Sequence, residues 1–260
     1  MGRRAGVVAS VAAGVWLAAA GIAVAQPALD PGIFDASRIP PRTAFAVRTM
    51  VPGAGWGTAN QYQERAALSL AKLYLADFAL KHGDGSAEDR DLGERMIRKS
   101  DDAAADRIAA KYPYAIDAEA AEYHLRATHG QGNWELSTTS TADIADFLAA
   151  KLRDEPDSPI LAWMEQPAER AADGTRQDWG TARLPQVYGT KWGWADLGDP
   201  EVASVSFGPG FTVAAHTYGT PEQQTEDVLA AWSTVLPEMR PQALTRTTGT
   251  PATACGACRP

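Results

Sequence analysis

Cysteine is almost missing from this 260-residue chain: there are two, Cys255 and Cys258, in a Cys-Gly-Ala-Cys run beside the C-terminus. A disulfide framework therefore cannot be what holds the fold. A redox reading of the pair would need a helix N-terminus to lower a thiol pKa, and the neighbours are Thr, Pro, Gly and Ala. A zinc site would need two further ligands nearby. What remains is a tail disulfide or two free thiols. Histidine is scarce too: His82, His124, His129 and His216 share no ligand-like spacing, and H-E-x-x-H is absent. G-x-S-x-G is absent too, and the glycines of Gly53-Ala54-Gly55-Trp56-Gly57 fit neither a dinucleotide fingerprint nor a Walker loop. Neither a metal nor an organic cofactor is implied. Positive charge is in deficit, with 24 Lys and Arg against 32 Asp and Glu and a net charge of −8, which argues against a nucleic-acid partner.

Long apolar runs are also lacking, except at the start. Arg3 and Arg4 precede an uncharged stretch from Gly6 to Val24, and Ala23-Val24-Ala25 supplies the small residues of a signal-peptidase site. About 18 apolar residues is the lower edge of a membrane span, and a stretch so rich in Ala and Gly spans poorly. The expectation is a signal peptide over residues 1–25, a secreted or cell-envelope protein, and no stable membrane span after processing. Residues 26–260 can bury a substantial core as one domain.

Residues 26–42 are a Pro-rich, irregular lead-in, and Thr43–Met50 alternates like a strand. Gln63–Leu80 has apolar residues three and four apart and predicts a helix that Gly83-Asp84-Gly85 stops. Ser86 opens a further helix, or a pair, through Ala110. Ile116–Arg126 reads as helical, and Ala142–Leu152 as a helix capped by Ser140 or Thr141. After short helices and loops over 154–185, the period changes. Val187–Asp196, Val202–Phe207 and Phe211–Tyr218 form three strands whose short links make them antiparallel neighbours. Pro221–Leu236 is an amphipathic helix, and residues 241–260 form a Thr-, Pro- and Gly-rich tail expected to be disordered. The reading is an α+β domain over 43–240: an antiparallel sheet joining chain-distant strands, covered by the terminal helix, with an inserted helical half.

Chemistry concentrates at four places. Ser69-Leu70-Ala71-Lys72 puts a hydroxyl and an amine on one helical face, and a partly desolvated lysine can act as the base that a serine nucleophile needs. A chain of this length carries about one S-x-x-K by chance, so the spacing alone means little. Ser100-Asp101-Asp102 lies in a helical stretch, Lys191-Trp192-Gly193 in the first strand of the meander, and Ser137–Leu148 opens a helix with a Thr-rich cap.

Taken in order, these resemble the class A β-lactamases and penicillin-binding proteins, which carry S-x-x-K at a helix start, then S-D-N, then K-T-G on a strand. The likeness extends to Met96-Ile97-x-x-Ser100-Asp101-x-x-Ala104-Ala105 and to the run from Thr138 to Leu148, and covers about residues 43–237. It implies a trimmed fold of that type and a serine acyl-enzyme mechanism. Ser69 would attack a lactam or peptide carbonyl with Lys72 as base. Ser100 would relay the proton to the leaving nitrogen, helped by Lys191, whose charge would also hold a substrate carboxylate. Asp102, Trp192, Gly193 and Trp194 would line the substrate, with backbone N–H groups of Ser69 and of the strand near Trp194 forming the oxyanion hole. The implied partner is a small molecule or a peptidoglycan-derived substrate.

The pattern departs in four ways. Asp102 replaces Asn and cannot donate a hydrogen bond when ionised; beside Lys72 it would favour the charged amine. Trp192 replaces the Thr of K-T-G, and Ser69 to Ser100 is a short span. No E-x-x-L-N loop supplies a deacylating carboxylate: Glu135 lies too near the Thr-rich helix and Glu122 lies within a helical run. Two readings stay open, a serine hydrolase of the penicillin-recognising type and a non-catalytic relative that binds wall fragments. Efficient β-lactamase activity ranks below both.

Overall fold

The computed structural model describes residues 39–50 and 53–239. The expected signal segment, most of the lead-in and the Cys-x-x-Cys tail lie outside the described residues. Strand β1 (Thr43–Thr49) is followed by β2 (Gly55–Gly57) and the two-residue β3 (Arg65–Ala66), then by helices α1 (Ala71–His82), α2 (Ala87–Lys99), α3 (Asp102–Lys111) and α4 (Ala115–Glu122). The short β4 (Thr138–Thr139), α5 (Thr141–Asp154) and α6 (Pro159–Glu165) complete the helical half. Strands β5 (Gly189–Trp194), β6 (Glu201–Gly208) and β7 (Phe211–Tyr218) return to the sheet, and α7 (Pro221–Met239) closes the described chain.

The five strands run in the order β2-β1-β7-β6-β5, every pair antiparallel, so β1 meets β7 across most of the sequence. This is the expected α+β arrangement with an inserted helical half. Period-2 alternation serves both faces. Ala46, Ala203, Val205 and Ala214 face the helical half, while Phe45, Val47, Val213 and Ala215 pack under Val228, Ala231 and Trp232 of α7. No described helix is long and apolar enough to cross a membrane.

Local chemistry explains most boundaries. Ser86 accepts a hydrogen bond from the Asp89 N–H at 3.2 Å, and Ser140 one from the Asp143 N–H at 3.0 Å, so both helices start where their N-caps stand. The helix expected over Gln63–Leu80 is shorter at its N-terminal end. The buried Arg65 guanidinium donates to the carbonyls of Arg42 and His216, which holds residues 65–66 extended and paired with β4. Two or three backbone anchors outweigh the weak helical preference of about five residues. Gly55–Gly57, read as part of a tight loop, pairs instead with β1.

The helical half contains a buried ionic knot. Lys151 and Asp77, both without exposed side-chain surface, lie 2.6 Å apart, and the Tyr123 hydroxyl also donates to Asp77. Beside them Glu119 is buried, neither of its carboxylate oxygens has a hydrogen-bond donor among the described residues, and burial, then the Asp77 charge, push its pKa up to about 9. The folded state thus holds a proton that the unfolded chain releases near pH 4.5. The Glu119 contribution to stability is complete below that value and is lost as pH rises toward 9, at no more than about 1.4 kcal/mol per pH unit. Glu119→Gln should therefore gain stability relative to wild type steadily between about pH 5 and 9. Paired thermal melts check this, and a constant difference across that range would contradict it.

Candidate functional site

The four residues singled out as chemical do meet at one place. Ser69 sits in a 3₁₀ turn, Leu68–Leu70, that leads straight into α1, and the turn packs against β5. Lys72 follows one turn on, fully buried, with its Nζ 2.6 Å from Ser69 Oγ. Ser100 caps α2 from a left-handed conformation (φ 50°), which breaks what would be one long helix into α2 and α3. From there its hydroxyl accepts a hydrogen bond from Lys191 Nζ at 2.8 Å. The Lys191 ammonium, also fully buried, donates to the Trp192 carbonyl at 2.9 Å as well. Asp101 holds this corner in place by capping α3 through the Ala104 N–H and by accepting two bonds from Arg95.

Backbone geometry at the nucleophile is unusual. Leu68, immediately before Ser69, has φ 51°, a left-handed conformation that costs a branched apolar residue energy and is held only by its surroundings. Opposite it, β5 comes so close that a Cβ added at Gly193 would stand 2.8 Å from both Leu68 Cβ and the Ser69 backbone nitrogen. Glycine is required here by close approach rather than by its torsions. The Ser69 backbone nitrogen therefore lies directly against β5 at Gly193.

Electrostatics decide what Lys72 can do. Its Nζ lies 2.5 Å from Asp102 Oδ1, so the carboxylate that replaces asparagine does pair with the amine. Yet the Lys72 pKa is lowered, because burial outweighs the hydrogen bond and charge of Asp102 and the more distant charges of Asp196 and Asp101. The Asp102 side chain is 54 % exposed, and a water-facing charge is screened in a way that a buried ammonium's lost hydration is not. Lys191 is driven well below an ordinary lysine by burial first and by the Lys72 charge second. Either lysine can thus release its proton more readily than a free side chain, and two ammonium charges side by side are disfavoured.

Trp192 needs correcting. Its indole is buried against Trp179 and donates to the Trp179 carbonyl at 3.0 Å, so it does not offer a surface to a substrate. Successive strand residues face opposite ways, and Lys191 takes the side toward Ser100. Trp194 is half-buried at the end of β5, against Trp179, with its indole N–H on Asp173. Trp134 was not singled out in the sequence. Its ring lies 4.5 Å from Lys72 Nζ, and its indole N–H is anchored on Asp106 at 2.8 Å. Behind it, toward Leu75, Tyr112 and Ile116, lies a cavity of about 330 Å³. Of the two glutamates considered for deacylation, Glu135 is exposed and Glu122 is tied to Lys81 and His82.

No family model and no curated protein sequence matches the chain. Its fold, however, is that of the penicillin-binding proteins and class A β-lactamases. It is similar to penicillin-binding protein D2 from Listeria monocytogenes in a cefotaxime-bound form, at 16 % identity and a TM-score of 0.55, over 74 % of this chain and 96 % of that one. A variant of the class A β-lactamase of the last common ancestor of Gram-negative bacteria is 18 % identical, with a TM-score of 0.55 over 78 % and 94 %. The D-alanyl-D-alanine carboxypeptidase of Mycobacterium tuberculosis is 18 % identical, with a TM-score of 0.54 over 76 % and 92 %.

Proposed function

We propose that this protein is an exported serine hydrolase or peptidase that forms an acyl-enzyme through Ser69 on a cell-wall peptide or a related amide or ester. The observation that carries the reading is the 2.6 Å contact between Ser69 Oγ and the buried amine of Lys72. With Lys72 neutral, the hydroxyl donates to the amine and becomes nucleophilic as its proton leaves. The carbonyl oxygen, turning anionic, accepts from the N–H groups of Ser69 and Trp194. Ser100, held by Lys191, hands a proton to the leaving atom. Release of the acyl group by water is slow, because the Asp102 carboxylate beside the site is paired with Lys72 and Glu122 is tied to Lys81 and His82, so the protein acylates better than it turns over. Efficient hydrolysis of β-lactams is not part of this reading.

The 2.5 Å pair between Asp102 and Lys72 favours the second reading, a non-catalytic protein that keeps the fold for binding, since a permanently charged Lys72 is no base. A neutral fluorophosphonate probe separates the two. It should attach to the tryptic peptide spanning residues 66–72, whose one hydroxyl is that of Ser69. Absence of an adduct on folded protein at saturating probe would sink the hydrolase reading.

A further inference from the structure

We infer that His82, Glu119 and Glu122 form a site for one Zn²⁺ ion, which clips α1 to α4 at the opposite end of α1 from Ser69. One ligand atom of each residue lies within 4.8 Å of the other two. His82 ends α1, while Glu119 and Glu122 stand three apart on α4 and so share a face, and the two helices pack together. His82 Nε2 and Glu122 Oε2 are 2.8 Å apart. Two ligands of a tetrahedral zinc, each about 2.0–2.2 Å from the ion, stand about 3.4 Å from one another. Small side-chain movements would therefore seat it: the pair opens slightly and Glu119 moves in.

Glu119 is what points to a ligand. It has no exposed surface, yet neither carboxylate oxygen accepts a hydrogen bond from any described donor. A proton on one oxygen can be offered to Asp77, which still leaves the other oxygen unmet. A buried acceptor without a donor is costly, and a cation held by the His82–Glu122 pair would supply what is missing. The surrounding charges call for a dication. Asp77, Glu119, Glu122 and Glu155 stand around Lys81 and Lys151 in one ionic chain, four carboxylates to two ammonium groups. With Glu119 ionised, one divalent ion neutralises the excess. Lys81 need not leave, because it holds Glu122 by the other oxygen, Oε1, and also reaches Glu155 at 3.4 Å.

One imidazole and two carboxylates make a mixed nitrogen and oxygen set, which suits Zn²⁺, whereas Mg²⁺ and Ca²⁺ take oxygen ligands. The Phe78 ring, one turn before His82 and 5.3 Å from the imidazole, limits that ring's rotation. The His82 and Glu122 side chains are 44 % and 39 % exposed, so an ion can enter from solvent and keep a water in its fourth position. Glu119 closes the site from within. The ion takes the place of the proton on Glu119, and nothing is oxidised or reduced. Because the ligands lie on separate helices, no spacing in the sequence marks them.

Calorimetric titration of the untagged full chain with zinc chloride tests the inference, in a Cys255→Ser, Cys258→Ser background that removes the tail thiols. One ion should bind per chain and raise the melting temperature, since a ligand held only by the folded state stabilises it. His82→Ala, at a part-exposed position, should leave the fold intact and weaken zinc binding by at least the 10- to 100-fold, roughly, that loss of an outer-shell partner costs a metal site. Glu119→Gln should weaken it as much, and magnesium chloride at the same concentration should leave the melt where it was. Absence of zinc binding, or binding in either variant as tight as in the parent, would overturn the inference. Binding lost with His82→Ala but kept with Glu119→Gln would also overturn it, by reducing the site to an exposed His–Glu pair. None of these results bears on Ser69, whose role is read separately by fluorophosphonate labelling.

Discussion

Lys72→Met is expected to slow acylation of Ser69 by about 10²- to 10⁴-fold, the range that a positioned general base supplies. The chain should still fold. Methionine fills an unbranched volume close to that of lysine, its sulfur can lie against the Trp134 ring that now faces the ammonium at 4.5 Å, and the abandoned Asp102 can turn to water from its 54 % exposed position. The loss would then be chemical, and unchanged thermal melting beside lost fluorophosphonate labelling would identify it as such. A variant that labels at the wild-type rate would remove Lys72 from the mechanism. Asp102→Asn should move the other way. Burial already lowers the Lys72 pKa and Asp102 raises it, so removing that charge lets the amine lose its proton at lower pH. The rising limb of the acylation profile should move to lower pH. A midpoint lower by about one pH unit would bring about a tenfold gain at pH values below it. A profile that does not move would mean that Asp102 has no hold on the base.

Gly193→Ala is expected to cost about 10²- to 10³-fold, the scale of losing one oxyanion donor. The added methyl group would stand 2.8 Å from the Ser69 nitrogen and from Leu68 Cβ, and neither is the free end of a flexible side chain. Either β5 or the turn before α1 must retreat, which separates the N–H groups of Ser69 and Trp194. Since the contact lies between main chains, the damage should appear in kcat more than in KM. A KM effect alone would place substrate binding, rather than charge stabilisation, at this contact.

The sheet and most helices were legible because their signals are local. Alternation marked β1, β6 and β7, and serine caps marked the starts of α2 and α5. What could not be read depended on partners distant in sequence. Gln63–Ala67 has a helical pattern, yet Arg65 is drawn away by the Arg42 and His216 carbonyls. Trp192 stands next to a site lysine, yet its orientation is set by the carbonyl of Trp179. Trp134 carried no motif, and only the fold brings it over Lys72. The site itself was legible as spacing and order, whereas the balance between burial and Asp102 that governs Lys72 needed side-chain depth.

Position 100 carries two demands that few amino acids can meet together. Its backbone is left-handed, with φ 50°, a region that Gly and Asn enter far more readily than most residues, and its side chain must present a hydroxyl to Lys191 at 2.8 Å. Glycine or asparagine would relax the main chain but give up that hydroxyl. Threonine would keep the hydroxyl but bring a second branch on Cβ into a torsion that β-branched residues resist. In a library of all substitutions at this corner, the functional survivors should collapse onto serine, even though the exposed Ala103 three residues on tolerates exchange. One residue between two helices thus sets both the bend of the chain and the narrowness of its mutational alphabet.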